Sequence, residues 1–309
     1  MRKVIVTGGA GFTGSYIAEE LVRRGYQVII IDNLSTGKSS NVESILHSKN
    51  AEFVRGSIVN LPLLHKIFSG AEYVFHQAAI ASVPRSVKNP RATHITNVTG
   101  TLNVLLAARD TGVKKVIYAS SSAVYGDSPD PIKVEEIPLN PLSPYAVTKI
   151  AGEFYGKVFQ EIYGVDTVSL RYFNVYGPRQ DAKSAYASVI PLFISNVMAG
   201  KSPVIYGNGE QTRDFIFVKD VAEANILAAE SSATGIFNIG SAIRVTINDL
   251  AQLIIKLAGN SNIRPVYSDA RPGDIMQSLA DITKAKALGF LPRYSLEEGL
   301  KEVISYMRR

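Results

Sequence analysis

The sequence has 309 residues, of which 46% are hydrophobic and 19% charged, enough to bury a large core in one or two domains. It contains no cysteine, which excludes a disulfide framework, a thiolate metal site and a cysteine nucleophile. The basic residues behind the formal net charge of +6 are scattered, so we expect an anionic small-molecule substrate rather than nucleic acid.

The sequence contains no sign of a membrane or export segment. No apolar run approaches the roughly 18 residues of a transmembrane helix, and the first predicted strand begins at residue 3. We therefore expect no membrane partner, no signal peptide and a cytoplasmic location.

The N-terminal residues predict a strand, a glycine-rich turn, a helix and a second strand, in that order. The strands are the apolar runs 3–7 and 28–31. Between them, Gly8 permits a tight turn, Gly11 lets the backbone approach a diphosphate, and Gly14 lets the helix pack closely. The free N–H groups at the helix start favour phosphate.

Asp32 ends the second predicted strand, where it can accept hydrogen bonds from an adenosine ribose. A carboxylate there would repel a 2′-phosphate, so the pattern predicts NAD rather than NADP as the cofactor.

Strand-like and helix-like runs then alternate along the chain. Further strands are predicted over residues 51–55, 73–76, 115–120, 166–171, 214–218 and 236–239. Helices are predicted over residues 61–68, 91–109, 145–163, 189–199, 221–230, 246–258 and 296–307.

This alternation predicts an α/β fold, a doubly wound parallel Rossmann sheet with a smaller mixed α/β substrate lobe. We assign residues 1–174 to an NAD-binding domain, to which residues 213–240 return. Residues 175–212 and 241–309 are assigned to the lobe.

A second group of residues carries chemistry. Three serines, 120–122, end the fifth predicted strand, and Tyr145 and Lys149 lie four residues apart on one helix face. A lysine cation beside a phenol favours the phenolate, so we expect a lowered pKa for Tyr145. Such a tyrosine can act as general base toward an alcohol, with a serine hydroxyl sharing the proton path.

Taken together, these motifs make the chain similar to the extended short-chain dehydrogenase/reductases, in the nucleotide-sugar 4-epimerase branch that acts on UDP-hexoses and UDP-N-acetylhexosamines. They follow the family's order over nearly the whole chain: TGGAGFTG (7–14), DNLSTG (32–37), HQAA (76–79), SSSAVYGD (120–127), SPYAVTK (143–149), RYFNVYGPRQD (171–181), RDFIFVKD (213–220) and RPGD (271–274).

The resemblance implies tightly held NAD, a UDP-sugar substrate and a homodimer formed through the helices near 91–109 and 145–163. It implies that Ser121, Tyr145 and Lys149 are catalytic. The residues it places at the cofactor are Gly8, Gly11, Phe12, Thr13, Gly14, Asp32, Asn33, Ser35, Thr36, Gly37, Ser57, Ile58, Gln77, Ala78, Ala79, Asn97, Ser120, Tyr145, Lys149 and Tyr172.

The family pattern also implies a set of substrate residues. Arg213 and Arg271 would clamp the diphosphate, and Asp274 would contact the uridine ribose. Ser278 falls where a small residue admits an N-acetyl group at sugar carbon 2 and a tyrosine excludes it. The remaining expected contacts are Ser82, Ser121, Ser122, Tyr145, Asn174, Val189, Pro191 and Tyr206.

The implied reaction is epimerisation without net redox. Tyr145 takes the proton from the sugar's 4-hydroxyl while carbon 4 gives hydride to NAD, and hydride returns to the other face of the 4-keto sugar. Dehydratases of this branch need an Asp–Glu pair where this chain has Ser122 and Ala123. Three alternatives stay open: an epimerase of UDP-glucose only, an NAD-dependent nucleotide-sugar oxidoreductase, and a non-catalytic NAD-binding regulator.

Two further expectations concern single residues. Ser57 stands where the family commonly has an aspartate for the adenine amino group, so we expect weaker adenine recognition there. The four histidines show no metal-ligand spacing, and no metal is expected.

Overall fold

The computed structural model describes residues 1–181, 188–260, 262–270 and 276–308. In chain order its strands are β1 (Lys3–Thr7), β2 (Gln27–Asp32), β3 (Ala51–Arg55), β4 (Tyr73–His76), β5 (Lys115–Ser121), β6 (Ile132–Lys133), β7 (Asp166–Tyr172), β8 (Asn174–Tyr176), β9 (Val204–Tyr206), β10 (Thr212–Arg213), β11 (Phe215–Phe217), β12 (Gly235–Ile239), β13 (Val245–Thr246), β14 (Val266–Ser268) and β15 (Leu279–Ala280).

Helices alternate with these strands. They are α1 (Phe12–Arg23), α2 (Glu43–Leu46), α3 (Leu61–Phe68), α4 (Val83–Lys88), α5 (Pro90–His94), α6 (Gly100–Thr111), α7 (Pro144–Tyr163), α8 (Val189–Met198), α9 (Val218–Glu230), α10 (Ile247–Ala258), α11 (Thr283–Ala287) and α12 (Leu296–Met307). Short 3₁₀ turns cover Ser39–Asn41 and Ser122–Tyr125, and a π-helical turn covers Ile95–Thr99.

Seven strands form one parallel sheet in the order β12-β7-β5-β4-β1-β2-β3. The strand order reverses direction between β1 and β4, and ligands of open α/β sheets bind outside the carboxyl ends of the strands at such a point. The predicted doubly wound Rossmann sheet is therefore confirmed.

Apolar cores lie on both faces of the sheet. Helices α1 and α9 pack on one face, with Ile17, Leu21 and Val221 fully buried. Helices α3, α6 and α7 pack on the other face around Leu64, Phe68 and Val104. Because both faces are covered, the central strands are apolar on both sides and read as continuous hydrophobic runs.

A third core joins α8, α10 and α12 with β9 and β11, through Ile194, Leu250 and Leu300 among others. Strand β12 pairs with β7, so the chain comes back to the large sheet before this core is completed. Ala280, Ile282, Ala285 and Phe290 pack with the sheet's α1/α9 core. The division into an NAD-binding domain and a substrate lobe at the stated boundaries stays a prediction.

Two elements differ from those expected. The helix expected over 91–109 is divided into α5, the π-helical turn and α6, and Asn97 in the turn faces inward, fully buried. Instead of a strand over 214–218, β11 is Phe215–Phe217, because Val218 already begins α9.

Within the described ranges, no group of three His, Cys, Asp or Glu residues lies close enough to hold a metal ion. Every helix in those ranges is too short or too polar to cross a bilayer.

Candidate active site

A cavity of about 550 Å³ opens at the carboxyl ends of β1, β2, β4 and β5. This volume is in the range of natural small-molecule sites. The predicted cofactor residues that line it are Gly8, Gly11, Phe12, Thr13, Gly14, Asp32, Asn33, Ser35, Thr36, Ser57, Ile58, Gln77, Ala78, Ala79, Ser120, Tyr145, Lys149 and Tyr172.

The loop after β1 forms the floor of this cavity. Gly8 has φ +66°, which L side chains rarely adopt, and a Cβ on Gly14 would clash with the Gly8 carbonyl oxygen. Side chains at these positions would therefore push α1 off the loop. The glycines leave a backbone cradle at the start of α1, which fits a diphosphate.

Asp32 is 8% exposed and lines the same cavity. Its Oδ2 accepts from the Ala10 backbone N–H at 3.1 Å, and its Oδ1 accepts from the Leu34 N–H at 2.8 Å. An ionised carboxylate has about four acceptor positions, so two remain for a ribose diol. These contacts fix the orientation that a ribose partner needs.

Two predicted cofactor residues are absent from the cavity lining. Gly37 lies behind Asp32, where a Cβ would come within 2.8 Å of the carboxylate. Asn97 accepts from the Ile80 N–H at 2.8 Å and donates to the Ile80 carbonyl at 3.1 Å and to Thr148 Oγ1 at 3.0 Å. Asn97 therefore holds the loop after β4 against α7 rather than lining the site.

The three predicted catalytic residues converge at the cavity's end. Tyr145 and Lys149 begin α7, whose N-cap Ser143 accepts from the Ala146 N–H at 3.1 Å. Lys149 Nζ lies 5.7 Å from the centre of the Tyr145 ring and donates to the Ala119 carbonyl at 2.7 Å. Ser121, at the end of β5, lies near enough to the Tyr145 phenol to act on its pKa, in the lowering direction.

The Ser121 hydroxyl is also oriented by its neighbours. Its oxygen accepts from the Ala123 N–H at 3.2 Å, which leaves its own proton available to a phenolate at Tyr145. Such donation favours the phenolate. Ser121 therefore stands where it can stabilise the deprotonated form of the general base.

The lowered pKa expected for Tyr145 is wrong for the protein without cofactor. Burial raises the pKa of Tyr145, and the hydrogen bond from Ser121 only opposes that rise. Burial also lowers the pKa of Lys149 to about 7, although the charge of Glu153 opposes this shift. Near neutral pH the Lys149 side chain is therefore only partly protonated. The sequence shows the spacing of the two groups but not the desolvation that acts on both.

Ser120, a neighbour expected to share the catalytic serine's role, is engaged elsewhere. Its hydroxyl donates to Glu153 Oε1 at 2.5 Å. Glu153 also accepts from Arg171 Nε at 2.9 Å and Nη2 at 2.7 Å. Because the Ser120 proton is directed at this buried carboxylate, the hydroxyl offers only lone pairs to the cavity that it lines.

The predicted substrate residues are more dispersed. Ser82 caps α4, and Ser122 begins the 3₁₀ turn after β5. Asn174 donates to the Asp214 carbonyl at 3.0 Å. Arg271 and Asp274 lie outside the described residues. The others are Val189 and Pro191 in α8, Tyr206 in β9, Arg213 in β10 and Ser278 just before β15. Of the predicted substrate residues that the structure describes, only Tyr145 lines the cavity.

Several residues that line the cavity were not among the predicted site residues. Among them are the basic residues Lys38, Arg85 and Arg179 and the carboxylate Asp181. Lys38 and Arg85 belong to the segments that follow two predicted strands at their carboxyl ends, a signal that could have identified them. Arg179 and Asp181 come from a loop after β8, a strand too short to show in the sequence pattern.

Comparison with known proteins gives the protein's relationships. The sequence profile of the NAD dependent epimerase/dehydratase family matches residues 4–240. The chain belongs to this family. A putative UDP-glucose 4-epimerase from Methanocaldococcus jannaschii is 42% identical to this chain over 308 residues, 99% of this chain and 98% of the relative.

Two solved structures are similar over the same extent. The UDP-N-acetylglucosamine 4-epimerase of Methanobrevibacter ruminantium M1, in complex with UDP-N-acetylmuramic acid, is 45% identical with a TM-score of 0.96, covering 99% of this chain and 98% of that one. The UDP-glucose 4-epimerase of Thermus thermophilus, in complex with NAD, is 38% identical with a TM-score of 0.88, covering 99% of both chains.

These relationships confirm the predicted family, fold class and cofactor. The chain is an NAD-dependent isomerase of the UDP-sugar 4-epimerase group. The glycine cradle and the Asp32 carboxylate fit NAD, because one suits its diphosphate and the other its adenosine ribose.

Proposed function

We propose that this epimerase interconverts UDP-N-acetylglucosamine and UDP-N-acetylgalactosamine, and that it also accepts UDP-glucose and UDP-galactose. The observation that supports 4-epimerisation most directly is the convergence of three groups at the end of the NAD cavity: Ser121 acts to lower the pKa of the Tyr145 phenol, and Lys149 lies beside the tyrosine ring. Ser122 and Ala123 follow Ser121 at the positions where dehydratases have an Asp–Glu pair, so the site lacks the acid and base of a dehydratase.

Each residue has a role in this proposal. Tyr145 Oη takes the proton from the sugar's 4-hydroxyl and later returns it. Ser121 donates to Tyr145 Oη and stabilises its anion, and Lys149 supplies positive charge near the ring. When bound, NAD accepts and returns hydride at sugar carbon 4 and adds the positive charge of its nicotinamide ring.

The nucleotide is assigned to residues beyond the large sheet. We propose that Arg213 and Arg271 bind the diphosphate of UDP, and that Asp274 contacts its ribose. Val189 and Pro191 at the start of α8 would line the uracil site together with Tyr206. A guanidinium suits a diphosphate because its N–H groups match two phosphate oxygens at once.

The preference for the acetylated sugar rests on Ser278. This small side chain is 9% exposed and precedes β15. We assign it to the sugar's 2-substituent, where a serine leaves room for an acetamido group. The 45% identity with an enzyme named UDP-N-acetylglucosamine 4-epimerase supports the same assignment.

A product assay with UDP-N-acetylglucosamine and UDP-glucose side by side tests this proposal. Ser278→Tyr should steeply reduce turnover of the acetylated sugar and spare UDP-glucose, because overpacking typically costs about 1–3 kcal/mol. Ser278→Ala, which stays small, is the matched control and should keep both activities. Equal loss of both activities in the tyrosine variant would remove Ser278 from the sugar site.

An epimerase restricted to UDP-glucose is the second candidate, favoured by the Methanocaldococcus jannaschii relative, whose name is putative UDP-glucose 4-epimerase. It makes a different prediction for the unmutated protein. In that case UDP-N-acetylglucosamine would give no product while UDP-glucose is turned over.

We further propose that the epimerase is a homodimer. One face of α7 carries an exposed apolar row: Val147, Phe154, Val158 and Ile162 are 41–67% exposed. Ile95, in the π-helical turn before α6, is 39% exposed. A second copy of the chain would cover these side chains.

A further inference from the structure

Arg179 has an unusual backbone conformation. Its φ is +70°, in the left-handed region that non-glycine residues seldom occupy. It shares this feature with only Leu34 and Ala242 among the described non-glycine residues. Conformations of this kind persist where the surroundings hold them and are concentrated at functional sites.

Three contacts hold the Arg179 side chain against the first turns of α1. Nη1 donates to Ser15 Oγ at 3.0 Å, and Nη2 donates to Glu19 Oε1 at 2.5 Å. The guanidinium carbon lies 4.6 Å from the centre of the Tyr16 ring. The loop after β8 is thereby tied to the helix whose N-terminus adjoins the glycine cradle.

The guanidinium keeps hydrogen-bonding capacity for a ligand. It has five N–H donors, of which two are used by Ser15 and Glu19. The other three make no hydrogen bond to the described residues. Arg179 lines the NAD cavity together with Phe12 and Thr13, the residues at the start of α1.

We propose that Arg179 binds the diphosphate of NAD and closes the cavity over the glycine cradle. The cradle offers backbone N–H groups and the helix dipole, and Arg179 adds a full positive charge from the opposite loop. The contact with Glu19 orients the guanidinium of Arg179, and the left-handed backbone of Arg179 places its side chain over α1. This inference depends on the cofactor alone and is independent of which UDP-sugar is turned over.

Cofactor binding tests the proposal without any sugar substrate. NAD retained by the purified holoenzyme is measured first, and then the affinities of the stripped protein for NAD and ADP-ribose are measured by calorimetry. Arg179→Gly and Arg179→Ala should both lower the affinity for NAD and for ADP-ribose by about 10- to 100-fold, the loss typical of a hydrogen bond to a charged group. Unchanged affinity in both variants would overturn the proposal.

The choice of variants separates ligand binding from folding. Arg179→Gly relieves the left-handed strain, so it tests the side chain even if Arg179→Ala fails to fold. Arg23→Ala is the matched control, since Arg23 bonds Glu20 on the exposed surface of α1 away from the NAD cavity, and it should retain NAD as the wild type does.

Glu19→Gln distinguishes a phosphate contact from a purely structural ion pair. It breaks the Arg179–Glu19 ion pair, which is partly exposed, and should lower the affinity for NAD by about fivefold at most. If Glu19→Gln lost as much affinity as Arg179→Gly, the ion pair and not a phosphate contact would explain the effect. Arg179→Lys should recover only part of the affinity, because an ammonium keeps the positive charge but lacks the planar N–H groups that bind two phosphate oxygens at once.

Discussion

At Tyr145, burial and hydrogen bonding act on the same phenol in opposite directions. Burial raises its pKa, and Ser121 opposes that rise. The phenol therefore keeps its proton near neutral pH in the protein without cofactor. Positive charge beside such a base favours its anionic form, and the nicotinamide ring of bound NAD would supply that charge at the Tyr145 end of the cavity.

Tyr145→Phe should leave NAD bound and remove most epimerisation. The ring still fills its place, while the oxygen that moves the proton is lost, and such groups typically contribute about 10²–10⁴-fold in rate. Turnover and retained NAD are measured on the same preparation. Activity within a factor of two of the wild type would exclude Tyr145 as the base.

His76 is a buried structural residue whose protonation is fixed by its neighbours. Thr101 donates its own hydroxyl proton to the Asn97 carbonyl, so it accepts from His76 Nε2, 2.9 Å away. Nδ1 then accepts from Thr7 Oγ1 at 2.7 Å. The neutral ring satisfies both hydroxyls, and burial, assisted by the charge of Lys149, lowers the pKa of His76 to about 3.

Acid should therefore destabilise the protein through His76. The unfolded chain binds a proton below its ordinary pKa of 6.5, whereas folded His76 binds one only near 3, so stability is lost as pH falls from 6.5 toward 3. For this residue alone the free energy of unfolding should drop by about 2 kcal/mol between pH 7 and 5. Urea unfolding of the wild type and His76→Gln at both pH values measures it, and equal pH dependence in the two proteins would contradict the assignment.

Helix α7 shows how one element serves two surfaces. Its inward face carries Tyr145, Lys149 and Glu153 at four-residue spacing, all less than 10% exposed. Its outward face carries the apolar row that includes Phe154, which is 59% exposed. The 3.6-residue period keeps the chemistry and the proposed dimer contact on separate faces.

Phe154→Asp should convert the proposed dimer into a monomer, since a carboxylate in an apolar interface costs several kcal/mol when left unpaired. Lys157→Asp is the control on the same helix, because Lys157 lies off the apolar row and is 68% exposed. Light scattering across a concentration series gives the mass. A wild-type monomer, or a Phe154→Asp protein that remains dimeric, would contradict the interface.

Asp214 joins segments that are distant in the sequence. It is fully buried between β10 and β11, and accepts from Ser241 N and Oγ at 2.7 and 2.8 Å. It also accepts from Ala242 N at 3.0 Å and Ala280 N at 3.1 Å. One carboxylate thus ties the end of β12 and the strand β15 to the segment that contains Arg213.

Asp214→Ala should lower the free energy of unfolding by about 3–5 kcal/mol, because it removes a fully buried acceptor and leaves three backbone N–H groups without their partner, that of the buried Ala280 among them. Asp214→Asn should cost less, since one amide oxygen still serves Ser241. Urea denaturation of the three proteins provides the comparison. A loss below about 1 kcal/mol for the alanine variant would show that water replaces the carboxylate.

Features that depend on local spacing were predictable from the sequence. The glycine loop after β1, the carboxylate at the end of β2 and the Tyr145–Lys149 pair are each determined by neighbours within a few turns of chain. The alternation of strand-like and helix-like runs indicated the parallel sheet. Periodicity and turn chemistry act over such short distances, so the sequence alone carries them.

Features that depend on long-range approach required the tertiary structure. The proton of Ser120 goes to Glu153, 33 positions away, and Arg179 reaches α1 across more than 160 positions. Burial reverses the pKa shift expected for Tyr145, because desolvation depends on everything packed around the phenol. The sequence by itself determined which reactive groups this protein has and their local spacing, and only the packed fold decided their partners and their protonation, because both depend on groups that are distant in the sequence.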